Sequence, residues 1–176
     1  MGEAPFHLAP LDASHERQHF HSGAAAPDHY FHHQVTQDVR RRVTACFVAL
    51  GESRIAGYYT LASASVSLAA LPAALGRKLP RYPSVPAVRM GRLAVDADFR
   101  GQGLGGALLA DALARVMAAD IAAWALVVDA KDEAAAAFYR HHGLIALPDS
   151  PLMLFLPLAT AQAAHSAGRP AARKGR

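Results

Sequence analysis

Val88-Arg89-Met90-Gly91-Arg92-Leu93-Ala94-Val95-Asp96-Ala97-Asp98-Phe99-Arg100-Gly101-Gln102-Gly103-Leu104-Gly105-Gly106 runs straight into Ala107-Leu108-Leu109-Ala110-Asp111-Ala112-Leu113, and its reading decides the fold. Apolar residues alternate at Val88 and Met90 and again at Leu93 and Val95, the pattern of a strand. The phase slips by one beside Gly91, as a β-bulge would make it slip, and a bulge frees backbone groups for a ligand. Glycines at 101, 103, 105 and 106 then allow a sharp turn with bare N–H groups. Beyond them Leu104, Leu108, Leu109, Ala112, Leu113, Val116 and Met117 recur at helical spacing. A glycine turn that opens a helix is an anion site, because unpaired N–H groups and the positive end of the helix dipole meet there.

Several readings of that turn compete. A Walker P-loop requires Gly-Lys-Ser/Thr after the glycines, and none follows. Gly101, Gly103 and Gly106 spell the dinucleotide fingerprint G-x-G-x-x-G, with Asp129 at the end of a later apolar run where a ribose-binding acid could stand. The turn comes late in the chain, however, which leaves little room for a dinucleotide-binding sheet. A purely connecting turn is a further reading. The remaining one is a pyrophosphate cradle, Arg100-x-x-Gly103-x-Gly105, after a bulged strand.

Length and composition set outer bounds. A chain of 176 residues is one ordinary domain, placed at 1–158, and 52% of its residues are hydrophobic. No apolar run reaches the roughly 20 residues of a membrane helix, and Met1 to Phe6 has neither the basic region nor the apolar core of a signal peptide. A cytoplasmic protein with no membrane contact is therefore expected. The single Cys46 lies in an apolar run and reads as a small buried hydrophobe. The formal charge of +4 permits a polyanionic partner. Part of that charge falls in residues 159–176, an Ala-, Gly- and basic-rich tail expected to be disordered.

Along the chain, His15-Glu16-Arg17-Gln18-His19 is a literal H-E-x-x-H, but the segment has no apolar face to bury a helix and no third ligand downstream, so no metal site is expected. Pro27 suits the first turn of a helix running to Val39, closed by Arg40, Arg41 and Arg42. Residues 43–50 and 55–66 read as an antiparallel hairpin about a turn at 51–54. Residues 67–86 form a long excursion with four prolines, the basic Arg77, Lys78 and Arg81, and one short helix. Strands at 121–128, 144–147 and 152–156 and a helix capped by Asp132 and ended by Gly143 complete the set.

Taken with Phe138-Tyr139-Arg140-His141-His142-Gly143-Leu144, this order of elements resembles the Gcn5-related N-acetyltransferase (GNAT) fold. The resemblance implies an α/β (α+β) architecture: a single mixed, mostly antiparallel sheet with a bulged central strand, flanked by helices. His15 to Gly23, Thr36 to Arg42, Gly57-Tyr58-Tyr59-Thr60-Leu61, Leu79-Pro80-Arg81-Tyr82-Pro83, Gly91 to Asp96 and Ala130 to Ala135 further resemble the GNAT toxins of bacterial type II toxin–antitoxin modules. The activity this second resemblance implies is acetylation of the α-amino group of aminoacyl-tRNA from acetyl-CoA, which stops translation. The partners it implies are aminoacyl-tRNA, a ribbon-helix-helix antitoxin and a second copy in a homodimer. By the same resemblance, backbone groups of Leu93 and Val95 receive pantetheine, and Arg100, Gly101, Gln102, Gly103, Leu104, Gly105 and Gly106 hold the pyrophosphate. Tyr139 matches the acid that meets the departing thiolate. No carboxylate base is identified; an α-amino group has a pKa of about 8, which an adjacent ester lowers further. Arg40, Arg41, Arg42, Arg77, Lys78, Arg81, Arg89 and Arg92 are the expected RNA contacts. The two rival classes are a GNAT acting on a small amine or protein N-terminus and a non-catalytic regulator that binds CoA or RNA.

Overall fold

The structure, a computed structural model, describes residues 5–167. The elements are β1 (His7–Pro10), α1 (Ala25–His33), α2 (Val35–Arg40), β2 (Ala45–Gly51), β3 (Arg54–Ser67), α3 (Ala73–Gly76), β4 (Ser84–Val95), α4 (Leu104–Ala118), β5 (Ala125–Asp129), α5 (Glu133–His141), β6 (Ile145–Leu147), β7 (Ser150–Pro157) and α6 (Leu158–Ala167). The strands make one open seven-stranded sheet flanked by helices. The chain groups into two compact units: one up to Ala64 together with Val88–Arg115, the other Ser65–Ala87 together with the chain from Val116 on.

In the first unit the strand order is β1-β2-β3-β4. The β2–β3 hairpin turns through Glu52 and Ser53, both left-handed at φ of 53° and 69°, the geometry whose twist matches that of the flanking strands. β1 pairs antiparallel with β2 from His7 opposite Leu50 to Pro10 opposite Phe47. The sequence reading missed β1, because a four-residue edge strand with an exposed, half-buried, half-buried, exposed pattern carries no apolar alternation. The core is aromatic. Phe31 stacks on Tyr58 at 4.1 Å between ring centres, and Phe20 meets both rings edge-on at 5.1 and 5.4 Å. The expected single helix from Pro27 is two helices, broken at Gln34, whose φ of −117° departs from the helical value. α4 buries Leu104, Leu108, Leu109 and Ala112, and lies so close to β3 that a Cβ on Gly57 would sit 3.0 Å from Leu108 and 3.1 Å from the Ala94 carbonyl oxygen.

In the second unit the order is β5-β7-β6, all antiparallel, with Ala125 opposite Pro157 and Ile145 opposite Phe155. β5 begins at Ala125, four residues later than expected, because Ile121 lies in the exposed connection ahead of it. The Asp132 carboxylate accepts the Ala135 N–H at 2.8 Å and caps α5 as expected. The tail departs from expectation: α6 covers residues 158–167, since its alanines have the highest helix propensity while giving no amphipathic pattern to read. The remainder of the basic tail, 168–176, lies outside the described residues.

Gly57→Ala tests the closeness of α4 to β3. Forcing a methyl group into that gap should destabilise the protein by about 1–3 kcal/mol, read as a lower urea midpoint. An unchanged midpoint would mean that the gap yields freely.

Candidate active site

Along β4 the buried Met90 and Ala94 stand an even number of positions apart, so burial keeps one phase past Gly91 and does not show the slip expected there. Gly91 and Arg92 are exposed in succession, and the Arg92 N–H donates to the Thr60 side-chain hydroxyl at 3.1 Å. Beyond Gly91 the inward residue is not one that the apolar alternation expects. Met90 and Ala94 are buried, whereas Leu93 and Val95 are half-buried on either side of Ala94.

The chain leaves β4 through a knot tied by Asp96, only 2% exposed. One carboxylate oxygen accepts the Asp98 N–H and an Arg54 guanidinium N–H, each at 2.9 Å, and the other accepts the His21 N–H at 2.9 Å. The Ala97 N–H returns a bond to the His21 carbonyl oxygen at 2.9 Å. Arg54 also reaches Asp98 at 3.0 Å and covers the Phe99 ring at 5.0 Å. Three stretches of chain far apart in sequence are thereby fixed where the glycine turn starts. Buried charge is tolerable here because both carboxylate oxygens accept hydrogen bonds and one of the donors is a guanidinium.

The turn itself is made by Gly101 and Gly103, left-handed at φ of 76° and 74°. A Cβ built on either would meet nothing within 4 Å, so their glycine identity serves backbone conformation and leaves open space above. The first helical bond of α4 runs from the Ala107 N–H to the Gly103 carbonyl oxygen at 3.2 Å. The N–H groups from Gly103 to Gly106 consequently have no partner within the helix. Open space, bare N–H groups and the positive end of a 15-residue helix fit a diphosphate. The Arg100 side chain is turned elsewhere: its guanidinium donates to the Ser22 carbonyl oxygen, which leaves its backbone to shape the turn. Gln102 is exposed.

In the second unit, Tyr139 stands on α5, 7% exposed, with Phe138 edge-on at 5.2 Å. Burial pushes its hydroxyl up to about 12, so it carries its proton throughout the neutral range. That is the state a proton donor requires.

The basic residues divide similarly. In the first unit Arg40, Arg41, Arg42 and Arg89 are exposed, and Arg92 lies 3.6 Å over the Tyr30 ring, whose hydroxyl donates to Asp38 at 3.0 Å. In the second unit Arg77, Lys78 and Arg81 are exposed. The H-E-x-x-H stretch forms no helix: His15 accepts the Asp12 N–H at 3.0 Å and His19 pairs with Glu16 at 3.1 Å. Among the described residues no group of His, Cys, Asp or Glu is placed to hold a metal. Cys46 is buried, and its thiol is pushed up to about 12, so it stays protonated and inert. Asp96 and Arg54, which shape the site, were not found from the sequence; Asp96-x-Asp98 is a helix-capping pattern, but nothing local announces partners 42 and 75 residues away.

An open glycine turn that starts a helix a few residues after the central strand suits an acyl-CoA-dependent transferase, and the sequence profile of the Acetyltransferase (GNAT) family matches residues 9–144. The chain belongs to that family. It is 38% identical over 146 residues to the tRNA-acetylating toxin of Mycobacterium tuberculosis, covering 82% of this chain and 87% of the relative. Its fold is similar to AtaT complexed with acetyl-methionyl-tRNAfMet, with a TM-score of 0.84, 29% identity, and coverage of 91% and 99% of the two chains. It is also similar to a mutant AtaT toxin bound to the C-terminus of the antitoxin AtaR and acetyl-CoA, with a TM-score of 0.77, 25% identity, and coverage of 92% and 98%. Among the described residues no helix is long and apolar enough to cross a membrane.

Asp96→Ala should cost about 2–4 kcal/mol, because it strands the His21 and Asp98 N–H groups and leaves Arg54 without its buried partner. Urea unfolding measures this; a loss below ~1 kcal/mol would show that the knot is incidental.

Proposed function

We propose that this protein transfers an acetyl group from acetyl-CoA to the α-amino group of aminoacyl-tRNA and acts as a translation-blocking toxin. The observation that carries the reading is the open turn at Gly101 and Gly103 leading into α4, where backbone N–H groups face space suited to a diphosphate. Support for the acceptor comes from the similarity to tRNA-acetylating and tRNA-bound relatives and from the exposed basic residues in both units.

Acetyl-CoA supplies the acetyl group as a thioester. The N–H groups of Gly101 to Gly106 hold its diphosphate, and the backbone of Leu93 and Val95 receives pantetheine like an added strand. The neutral α-amino nitrogen attacks the acetyl carbon; a C–N bond forms, the C–S bond breaks, and the sulfur leaves with the electron pair. Tyr139 Oη gives that sulfur a proton, and its buried, protonated state suits it to the task. The amine attacks in its neutral form without a strong base, since an α-amino group beside an ester has a pKa below about 8, and the proton that the nitrogen sheds as the amide forms returns to the Tyr139 oxygen. Arg40, Arg41, Arg42, Arg77, Lys78, Arg81, Arg89 and Arg92 meet phosphates of the tRNA acceptor end. Arg92 does so from its perch on Tyr30, a weakly hydrated guanidinium with donors at its edge. The toxin works as a homodimer in the cytoplasm and is silenced by a ribbon-helix-helix antitoxin.

Two variants test this chemistry on aminoacyl-tRNA with labelled acetyl-CoA. Tyr139→Phe keeps the ring and removes one hydroxyl, and should lower kcat by about 10²-fold or more while acetyl-CoA affinity stays within about twofold. Wild-type turnover in that variant would assign the proton to another group. Gly103→Asp adds bulk and negative charge at a left-handed position and should abolish acetyl-CoA binding by calorimetry. A folded Gly103→Asp protein with unchanged affinity would remove the diphosphate assignment.

A further inference from the structure

The stretch Ser65–Ala87 in the second unit carries Arg77, Lys78 and Arg81 and no acidic residue at all. It folds around a groove of ≈ 580 Å³, within the range of about 300–1,000 Å³ usual for ligand pockets. Leu68, Leu71 and Leu79 give the groove apolar walls, and Arg77 and Arg81 line it as well. Its backbone is fixed from within: the Leu71 N–H donates to Leu68 at 3.2 Å, the Leu75 N–H to Pro72 at 2.9 Å, and the Leu68 N–H to the Pro83 carbonyl oxygen at 3.2 Å. Arg77 spends one N–H on the Ala73 carbonyl oxygen at 3.2 Å, a small part of its five donors.

Beside Arg81 stands Tyr82, 66% exposed, the one large aromatic residue so exposed among those described. Its neighbour Pro83 is the residue bonded to Leu68 of the groove, so Tyr82 sits at the rim. Pro80 and Pro83 bracket it, and its own N–H is bonded to the Pro80 carbonyl oxygen at 2.8 Å. An exposed ring on so constrained a backbone loses little freedom when it is covered. Packing in the protein's interior does not account for it.

We propose that this groove and Tyr82 bind the unpaired end of a nucleic acid. A base stacks on the tyrosine ring against the apolar wall, and the flanking phosphates lie on Arg77 and Arg81. Every base offers a π-face and every linkage a negative charge, and an aromatic platform between cations is how single strands are held without sequence readout. An acidic peptide would satisfy the cations equally, but it has no use for a flat exposed ring. The proposal rests on the aminoacyl-tRNA reading, whose acceptor presents such an unpaired end, and it names the residue that seats it.

Stacking and phosphate contacts separate by salt. Tyr82→Ala should raise KM for aminoacyl-tRNA about tenfold, equivalent to ~1.4 kcal/mol, with kcat and the salt slope of KM unchanged and Tyr82→Phe restoring affinity. Arg81→Gln should instead flatten the log-log salt slope by about 0.7–0.9 for its phosphate. In parallel, fluorescence anisotropy with a labelled single-stranded RNA ending in ACCA should show the same Tyr82 and Arg81 effects without any acetylation. That arm distinguishes the two readings: if wild type acetylates no aminoacyl-tRNA yet binds the oligonucleotide through Tyr82, the groove stands and the acceptor reading falls. Tyr82→Ala with wild-type KM and oligonucleotide affinity would overturn the groove. So would a glutamate-rich peptide that bound through Tyr82 while the oligonucleotide did not. A thermal melt of Tyr82→Ala should match wild type, since the ring is exposed.

Discussion

The carboxylate of Asp96 is the interaction on which the rest of the site depends. It is buried, it ends β4, and its two oxygens draw in the Asp98 N–H, the His21 N–H and the Arg54 guanidinium. From that point the chain has only one way to enter the turn at Gly101. Arg100 extends the same device by gripping the Ser22 carbonyl oxygen, and Ser22 in turn donates from its hydroxyl to Asp28 at 2.6 Å. The segment before α1 and the segment before α4 are thus held together by charge-assisted hydrogen bonds, each roughly twice as strong as a neutral one.

Behind the turn, α4 is anchored by packing and by a second polar knot. Leu104, Leu108 and Leu109 fill one side, and Gly57 permits the close approach. On the same helix Asp111 accepts from the Tyr59 hydroxyl at 2.5 Å and from Arg115 at 2.8 Å, while Arg115 lies over Phe47 at 4.2 Å. Burial and the Asp111 carboxylate push the Tyr59 hydroxyl well above its usual range, so it remains a donor at any physiological pH. The helix that presents its N-terminus is therefore fixed along its length. The binding groups are backbone N–H groups, and rigidity of the supporting helix is what gives them direction.

Much of this was legible in the sequence because it rests on local rules. Strand, glycine turn and helix follow from periodicity and from the φ demanded at Gly101 and Gly103, and the Asp132 cap and Gly143 stop follow from end chemistry. Where the sequence misled, the decisive factor was long-range or lacked an apolar signature. β1 is held by edge pairing to β2, which no pattern in His7–Pro10 records. In β4 the burial of Met90 and Ala94 keeps one phase past Gly91, so Leu93 and Val95, whose apolar side chains suggest a slip there, are only half-buried. The arginines look alike in sequence, yet Arg92 is seated on Tyr30 and Arg100 on Ser22, partners 62 and 78 residues distant by position. The alanines of α6 fall in a stretch whose composition suggests disorder, although the same residues propagate a helix.

The central claim is that this fold delivers an acetyl group to an amino acid esterified to tRNA. The most direct measurement is to incubate the purified protein with acetyl-CoA and bulk aminoacyl-tRNA, strip the ester with mild base, and identify the released amino acids by mass spectrometry. The account predicts one or more amino acids heavier by a single acetyl group on the α-nitrogen, appearing only with protein and acetyl-CoA together. Release of unmodified amino acids alone, from a protein that binds acetyl-CoA, would contradict it.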